Sequence, residues 1–290
     1  MHEPNVPVIS KFDEALNKAE TENYGLSIQV GLNGFSFCIL DKKSQKFLSY
    51  EWFDFNKPIS SLKAGQEIIS HWKNREWLNH DYGSVMVFYE ANTSTLLPAS
   101  LFDPDEKEAI AAFNFKVPEK NQVIFDKIDN PDAYILYPVP EGLIEAIKTN
   151  FPDAVFRSQL GALTEILLIT TKNLPIEKRI FVNVRQAHLD IVITEGKELL
   201  FCNSFGYTTR EDFIYYIIFV LEQLNINPEE IDLTFSGMID NRSGLFDIVY
   251  KYVRNIGFQP LPTSYAYSWI FNEIPSHYFF GLLNSPLCGL

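Results

Sequence analysis

The stretch "LSIQVGLNGFSFCILD", residues 26–41, predicts two β-strands joined by a tight turn at Asn33-Gly34. Its residues alternate at period two, with Leu26, Ile28 and Val30 on one face and Ser27, Gln29 and Gly31 on the other. The stretch is followed by a third strand at 45–55, a helix within 60–80 and a short apolar strand at 83–91. The predicted order is therefore strand, strand, strand, helix, strand.

The same order of elements recurs from residue 179. "RIFVNVRQAHLDIVIT" (179–194) predicts a second hairpin, followed by strand 197–205, helix 208–225 and strand 231–238. Aligning the hairpins places Gln29 opposite Asn183 and Gly31 opposite Arg185. Few residues are identical, so the similarity rests on the repeated order.

Two related halves follow from this repeat. We predict a first half at 1–160, with a small insertion at about 101–130, and a second half at 161–290. The C-terminal segment at 273–290 is rich in Phe, Tyr and Leu, so we expect it to pack back on the first half as a helix.

The charge balance argues against nucleic acid as a partner. The chain has 24 Lys and Arg against 37 Asp and Glu, a formal net charge of −13, which repels a phosphate backbone. No signal-peptide pattern and no apolar run of transmembrane length is present in the sequence, so we expect a cytoplasmic protein without a membrane span. Cys38, Cys202 and Cys288 are expected to be reduced thiols.

The hairpin at 26–41, "TLLPASLF" (95–102) and "SHYFFGLLNSPLC" (276–288) resemble a bacterial family of uncharacterised proteins with an actin-like ATPase fold. This family falls within the actin, hexokinase and sugar-kinase superfamily. The resemblance implies an α/β protein with a duplicated actin-like, ribonuclease H-like fold: two related halves, each a mixed sheet flanked by helices, around a cleft.

The resemblance also implies where a nucleotide site would be. Active members carry Asp-x-Gly in both hairpins and a Gly-Gly pair near the adenosine, because glycine amides cradle phosphate and carboxylates hold hydrated Mg²⁺. The corresponding triplets here are Gln29-Val30-Gly31, Asn183-Val184-Arg185 and Ser236-Gly237-Met238. With Asn33 and Gly34 in the first turn, these residues predict a degenerate nucleotide cleft, no required cofactor and a binding or scaffolding role with an unknown protein partner.

An alternative is an ATPase or phosphotransferase that binds ATP or ADP with Mg²⁺ and takes its carboxylates from other strand ends. Glu90, Asp190 and Asp240 are the candidates, with Glu90 favoured because it directly follows a buried strand. Arg185 either contacts a phosphate directly or is a solvated side chain on an alternating strand, and the solvated position is favoured.

Other chemistry is weakly supported. His188 and Asp190 share a strand face, but a polar turn at a sheet edge explains them better than an acid/base pair. A ribonuclease H-like nuclease would need carboxylates on the first strand, where none is present. The aromatic segment "TSYAYSWIF" (263–271) is expected in the core, and becomes a candidate partner site if it is exposed.

Overall fold

The computed structural model describes residues 7–55 and 57–284. The strands are β1 (Ile9–Phe12), β2 (Tyr24–Val30), β3 (Gly34–Asp41), β4 (Lys46–Asp54), β5 (Ser84–Tyr89), β6 (Thr95–Pro98), β7 (Asn121–Ile128), β8 (Ala133–Pro140), β9 (Val155–Ser158), β10 (Lys178–Val184), β11 (His188–Glu195), β12 (Glu198–Gly206), β13 (Asp232–Gly237), β14 (Asn255–Phe258) and β15 (Ala266–Tyr267). The helices are α1 (Ala64–Trp72), α2 (Lys107–Asn114), α3 (Glu141–Asn150), α4 (Gln159–Thr171), α5 (Arg210–Gln223), α6 (Gly244–Val249) and α7 (Phe280–Leu283). In this described part of the chain, no helix combines the length and apolar character needed to cross a membrane.

The two large sheets share one strand order. The first runs β4-β3-β2-β5-β9, extended by β1 and β15 beside β4, and the second runs β12-β11-β10-β13-β14. In each sheet the first three strands form an antiparallel meander. A helix then crosses over and returns the chain to the first strand of the meander, so the next strand pairs with that first strand in parallel. Gln29 and Asn183 occupy equivalent positions near the ends of β2 and β10.

Helix α4 lies between the two sheets. Ten of its thirteen residues are buried, and it is apolar on nearly every side, as expected for a helix enclosed by protein. Ser158 caps its first turn by accepting a hydrogen bond from the Gly161 N–H at 3.2 Å. The cap fixes the start of α4 beside the cleft between the halves.

A separate three-stranded sheet, β6-β8-β7, carries α2 on one side. It spans 95–140, so the predicted insertion at about 101–130 covers only its middle part. Asp126 of β7 attaches this sheet to α4, since its buried carboxylate accepts hydrogen bonds from the Ser158 N–H and the Tyr137 hydroxyl. Burial raises the pKa of Asp126 to about 6.

The segment at 269–284 packs against the first sheet. The Phe279 ring stacks on the Tyr50 ring with centroids 3.5 Å apart, and the Cys38 Sγ lies 3.9 Å from the Leu282 carbonyl oxygen. Cys38 is fully buried and Cys202 half-buried, both as free thiols, whereas Cys288 and the rest of 285–290 lie outside the described residues. The end of the described chain thereby reaches the cleft.

Candidate functional site

The cleft opens where the parallel strand pairs β2/β5 and β10/β13 end, which is where ligands bind in α/β folds. Residues of both halves and of the C-terminal segment line it: Gln29, Asn33, Gly34, Phe35, Ser36, Tyr50, Trp52, Asp54, Glu90, Gln159, Asn183, Val184, Arg185, Gln186, Gly237, Met238, Tyr278, Phe279 and Gly281.

Glu90 covers the turn of the first hairpin. The Gln29 side-chain amide donates a hydrogen bond to the Glu90 carboxylate. A Cβ added to Gly31 would lie 2.8 Å from Glu90 Oε2, so the carboxylate packs directly over this glycine. The Gly31 N–H already donates to the Gly34 carbonyl at 3.0 Å. The hairpin that would cradle a phosphate therefore faces a carboxylate.

Arg185 is buried at the turn of the second hairpin, so its predicted position as a solvated side chain is wrong. It is 6% exposed, and its guanidinium donates to the Asp190 carboxylate at 2.8 Å and to the Ala91 carbonyl of the first half at 3.2 Å. Alternation along β10 indicates a face, but the prediction missed that the other half covers this face. Arg185, at the position where the sequence pattern predicts a phosphate-cradling glycine, joins the two halves.

Asp190 is fully buried and fully engaged. Its carboxylate accepts hydrogen bonds from the Asn183 side chain at 2.9 Å and from the Ser204 hydroxyl at 2.6 Å, in addition to Arg185. The Ser236 hydroxyl donates to Asn183 Oδ1 at 3.1 Å, which extends the network to β13. Three donors satisfy this carboxylate, as burial of a charge requires.

The C-terminal segment closes the cleft beside Gly237 of β13. Gly237 has φ +80°, and an added Cβ would lie 2.2 Å from the Val184 carbonyl oxygen, so only glycine fits there. Its N–H donates to the His277 carbonyl at 2.9 Å, while the His277 ring contacts the Ile239 carbonyl. The glycine amide at the predicted adenosine position is thus already bonded within the chain.

The remaining cavity is about 60 Å³. Pockets that enclose a drug-sized ligand typically measure roughly 300–1,000 Å³, and a cavity of this size holds only a few water molecules. In the described arrangement of the halves and the C-terminal segment, this partly open cavity is too small to enclose a nucleotide.

The donor set also fits Mg²⁺ poorly. Burial raises the pKa of Glu90, and the charge of Arg185 opposes that shift. The Arg185 guanidinium pairs with Asp190 at 2.8 Å and its positive charge also acts on Glu90, and a cation in this position disfavours a metal ion between the two carboxylates. Within the described residues no group of three or more His, Cys, Asp or Glu side chains could hold a metal ion.

The predicted residues therefore divide into three groups. Gln29, Asn33, Gly34, Asn183, Arg185, Gly237 and Glu90 line the cleft; Gly31, Asp190 and Ser236 are not among its lining residues but contact residues that are; Asp240 is exposed outside it. Sequence reasoning missed Tyr50, Gln159 and Phe279. The aromatic run of the C-terminal segment was the one signal in the sequence that indicated Phe279 and the surface on which it packs, since a run so apolar needs a buried contact surface.

His188, at the start of β11, gives the site a predictable pH response. Burial, together with the charge of Arg185, lowers its pKa to about 4. As pH falls from 6.5 to 4, the unfolded chain takes up a proton at His188 that the folded chain does not, so the folded state loses stability over this window. We expect His188→Gln to remove that loss in urea titrations at several pH values. An unchanged pH slope between pH 6.5 and 4 would contradict this assignment.

Two sheets of one strand order around a cleft, with two hairpins at its base, define an actin-like ATPase fold, and the comparisons confirm this prediction. The structure resembles a protein with actin-like ATPase fold and unknown function from Bacteroides thetaiotaomicron at a TM-score of 0.79 and 23% identity, over 93% of this chain and 98% of that one. It resembles a structure of the PilM-PilN type IV pilus biogenesis complex at a TM-score of 0.56 and 11% identity, over 89% and 96%.

The chain belongs to the family described as protein of unknown function (DUF3822), whose model matches residues 13–256. The predicted resemblance to an uncharacterised family with this fold is thereby confirmed. No curated protein matches the chain.

Proposed function

We propose that this protein is a member of the actin-like ATPase fold that has lost nucleotide chemistry and acts as a binding or scaffolding module for another protein. One observation carries the proposal: Arg185, in the position of a phosphate-cradling glycine, is buried against Asp190 and bonded to the opposite half. The guanidinium is thereby engaged within the chain, and a phosphate that drew it away from Asp190 would leave a fully buried carboxylate without its counterion.

Two further contacts support the same proposal. Glu90 covers Gly31, and the C-terminal segment bonds the Gly237 amide, so both glycine positions of the superfamily pattern are occupied by the chain itself. The Gln186 amide also donates to Asp54 at 3.2 Å across the two halves. Such contacts favour one fixed arrangement of the halves, which suits a platform better than a hydrolase that opens and closes.

A protein-binding role is compatible with the fold, because the PilM-PilN structure contains a protein of this fold in complex with PilN. The likeness to that structure supports the fold alone. The partner of this chain therefore has to be argued from its own surface.

Phosphate release from ATP tests the loss of chemistry. We expect no Mg²⁺-dependent release above the buffer rate, with Glu90→Gln indistinguishable from the unaltered protein. Glu90 is the best-placed carboxylate for a rival hydrolase, since it lines the cleft beside the first hairpin. Release that requires Mg²⁺ and falls at least a hundredfold in Glu90→Gln would overturn the proposal in favour of an ATPase.

A further inference from the structure

Within residues 7–55 and 57–284, strand β12 is an edge of the second sheet with no strand paired to its outer side. It pairs with β11 on one side, and the sheet order ends with it on the other. Its interior, 199–205, contains no charged residue and no proline, the residues that normally protect an edge. All seven interior residues are half-buried instead of alternating between core and solvent. Both faces of this edge therefore border apolar surface.

The backbone of β12 has groups directed away from β11. The Tyr207 N–H bonds the Ala187 carbonyl of the adjoining turn, and alternation in an antiparallel ladder then directs the backbone of Ser204 and Cys202 outward. The outward Ser204 N–H donates to Oδ1 of its neighbour Asn203 at 2.9 Å, a local hydrogen bond that an added strand would replace. These outward groups are a template for a further strand.

A groove runs along one side of this edge. It lies between β12 and β6, itself an edge strand of the three-stranded sheet, and has a cavity volume of about 320 Å³. Its lining is mainly apolar: Leu96, Pro98, Pro131, Asp132, Ala133, Leu199, Leu200, Phe201 and Cys202. A strand added to β12 would place alternate side chains in this groove.

The other face of β12 continues into an aromatic ladder on α5. Phe201 stacks near Phe205 at a centroid distance of 6.3 Å, and Phe205 stacks on Tyr216 at 4.6 Å. Tyr215 and Phe219 extend the ladder outward, stacked at 5.9 Å and 60% and 39% exposed. The remaining side chains of an added strand would meet these rings.

We propose that a partner protein binds by adding an extended segment to β12. The segment has aliphatic side chains on the face toward the groove, aromatic side chains on the face toward α5, and a basic residue at its end. This inference rests on the proposed function and makes it more specific, because it names the class of partner protein that the chain binds.

The charges near the groove support a basic end. Asp132 lines the groove, and Glu198 directly precedes its lining residue Leu199, whereas no Lys or Arg is among the described residues that line the groove; Lys127 pairs with Asp129 and Asp132 at 3.5 Å. The chain as a whole carries −13, so a cationic segment is also favoured during approach.

The probe is a synthetic peptide, acetyl-KVYVYVK-amide, with alternate aliphatic and aromatic residues and lysine ends. We expect it to bind and to slow hydrogen exchange of the β12 amides in 198–207. The control peptide has the same side chains with alternate backbone nitrogens methylated, which removes the donors that a strand needs. We expect at least a tenfold loss of affinity for this control.

Two matched variants locate the site on the protein. Leu199→Lys places a charge in the groove and is expected to weaken peptide binding at least tenfold. Its control is Val155→Lys on β9, the edge strand of the other large sheet, where Val155 is 52% exposed. We expect Val155→Lys to leave the peptide affinity within twofold. Equal affinity of both peptides, or no protection of β12 at millimolar peptide, would overturn the proposal. A dimer that protects 198–207 and that Leu199→Lys dissociates would also overturn it, in favour of pairing with a second copy.

This experiment uses no nucleotide, so its result is independent of whether the protein hydrolyses ATP. Peptide binding together with ATP turnover would refute the loss of chemistry and leave the strand site standing. Absence of both activities would refute the strand site alone.

Discussion

Replacing Arg185 by alanine is expected to lower the free energy of unfolding by about 3–5 kcal/mol. The reason is the fully buried carboxylate of Asp190, which loses its counterion at 2.8 Å and retains only the neutral donors Asn183 and Ser204. The same change removes the bond from Arg185 to the Ala91 carbonyl, so it weakens the contact between the halves as well. Urea denaturation at neutral pH measures the effect.

The matched control removes both charges. In Arg185→Met with Asp190→Asn, the asparagine keeps an acceptor oxygen for its neighbours, and the carboxylate that paired with Arg185 is removed together with the guanidinium. We expect this double variant to recover at least half of the stability that Arg185→Ala loses. A loss below about 1 kcal/mol for Arg185→Ala would place the guanidinium in solvent and contradict the site described above.

Replacing Phe279 by alanine is expected to cost about 3–5 kcal/mol of folding stability. The Phe279 ring is 8% exposed and lies on the fully buried Tyr50 ring, with centroids 3.5 Å apart. Its removal leaves a cavity between the C-terminal segment and the first sheet. Thermal and urea unfolding both report this loss.

Trp269→Ala is the control for Phe279→Ala. Trp269 lies in the same C-terminal region but is 63% exposed, so its removal should change the stability by no more than about 0.5 kcal/mol. If Phe279→Ala cost no more than Trp269→Ala, the C-terminal segment would not be part of the folded cleft.

Much of the fold could be predicted from local pattern. The period-two alternation of 26–41 and the apolar spacing on α5 predict their strands and helix correctly, although β3 is buried on both faces and not on one. Thr209 caps α5 and forms a capping box with Asp212, as a threonine before an acidic first turn indicates.

The cleft could be predicted only in outline. Which residues end the strands follows from the strand order, so Gln29, Asn183 and Glu90 could be placed near one another. The burial of Arg185 depends on Ala91 and the first half, and the position of Phe279 depends on Tyr50 of β4. Contacts between segments so distant along the chain leave no periodic signal in either one.

Thermal unfolding with millimolar ATP or ADP, each with Mg²⁺ and with a chelator, measures whether the cleft binds a nucleotide. A ligand present at 100 times its dissociation constant would add roughly 2.7 kcal/mol and raise the midpoint by several degrees. We expect the same unfolding midpoint in all four conditions and in buffer alone, because the chain itself occupies the glycine positions of the cleft. A Mg²⁺-dependent rise of several degrees would contradict this expectation.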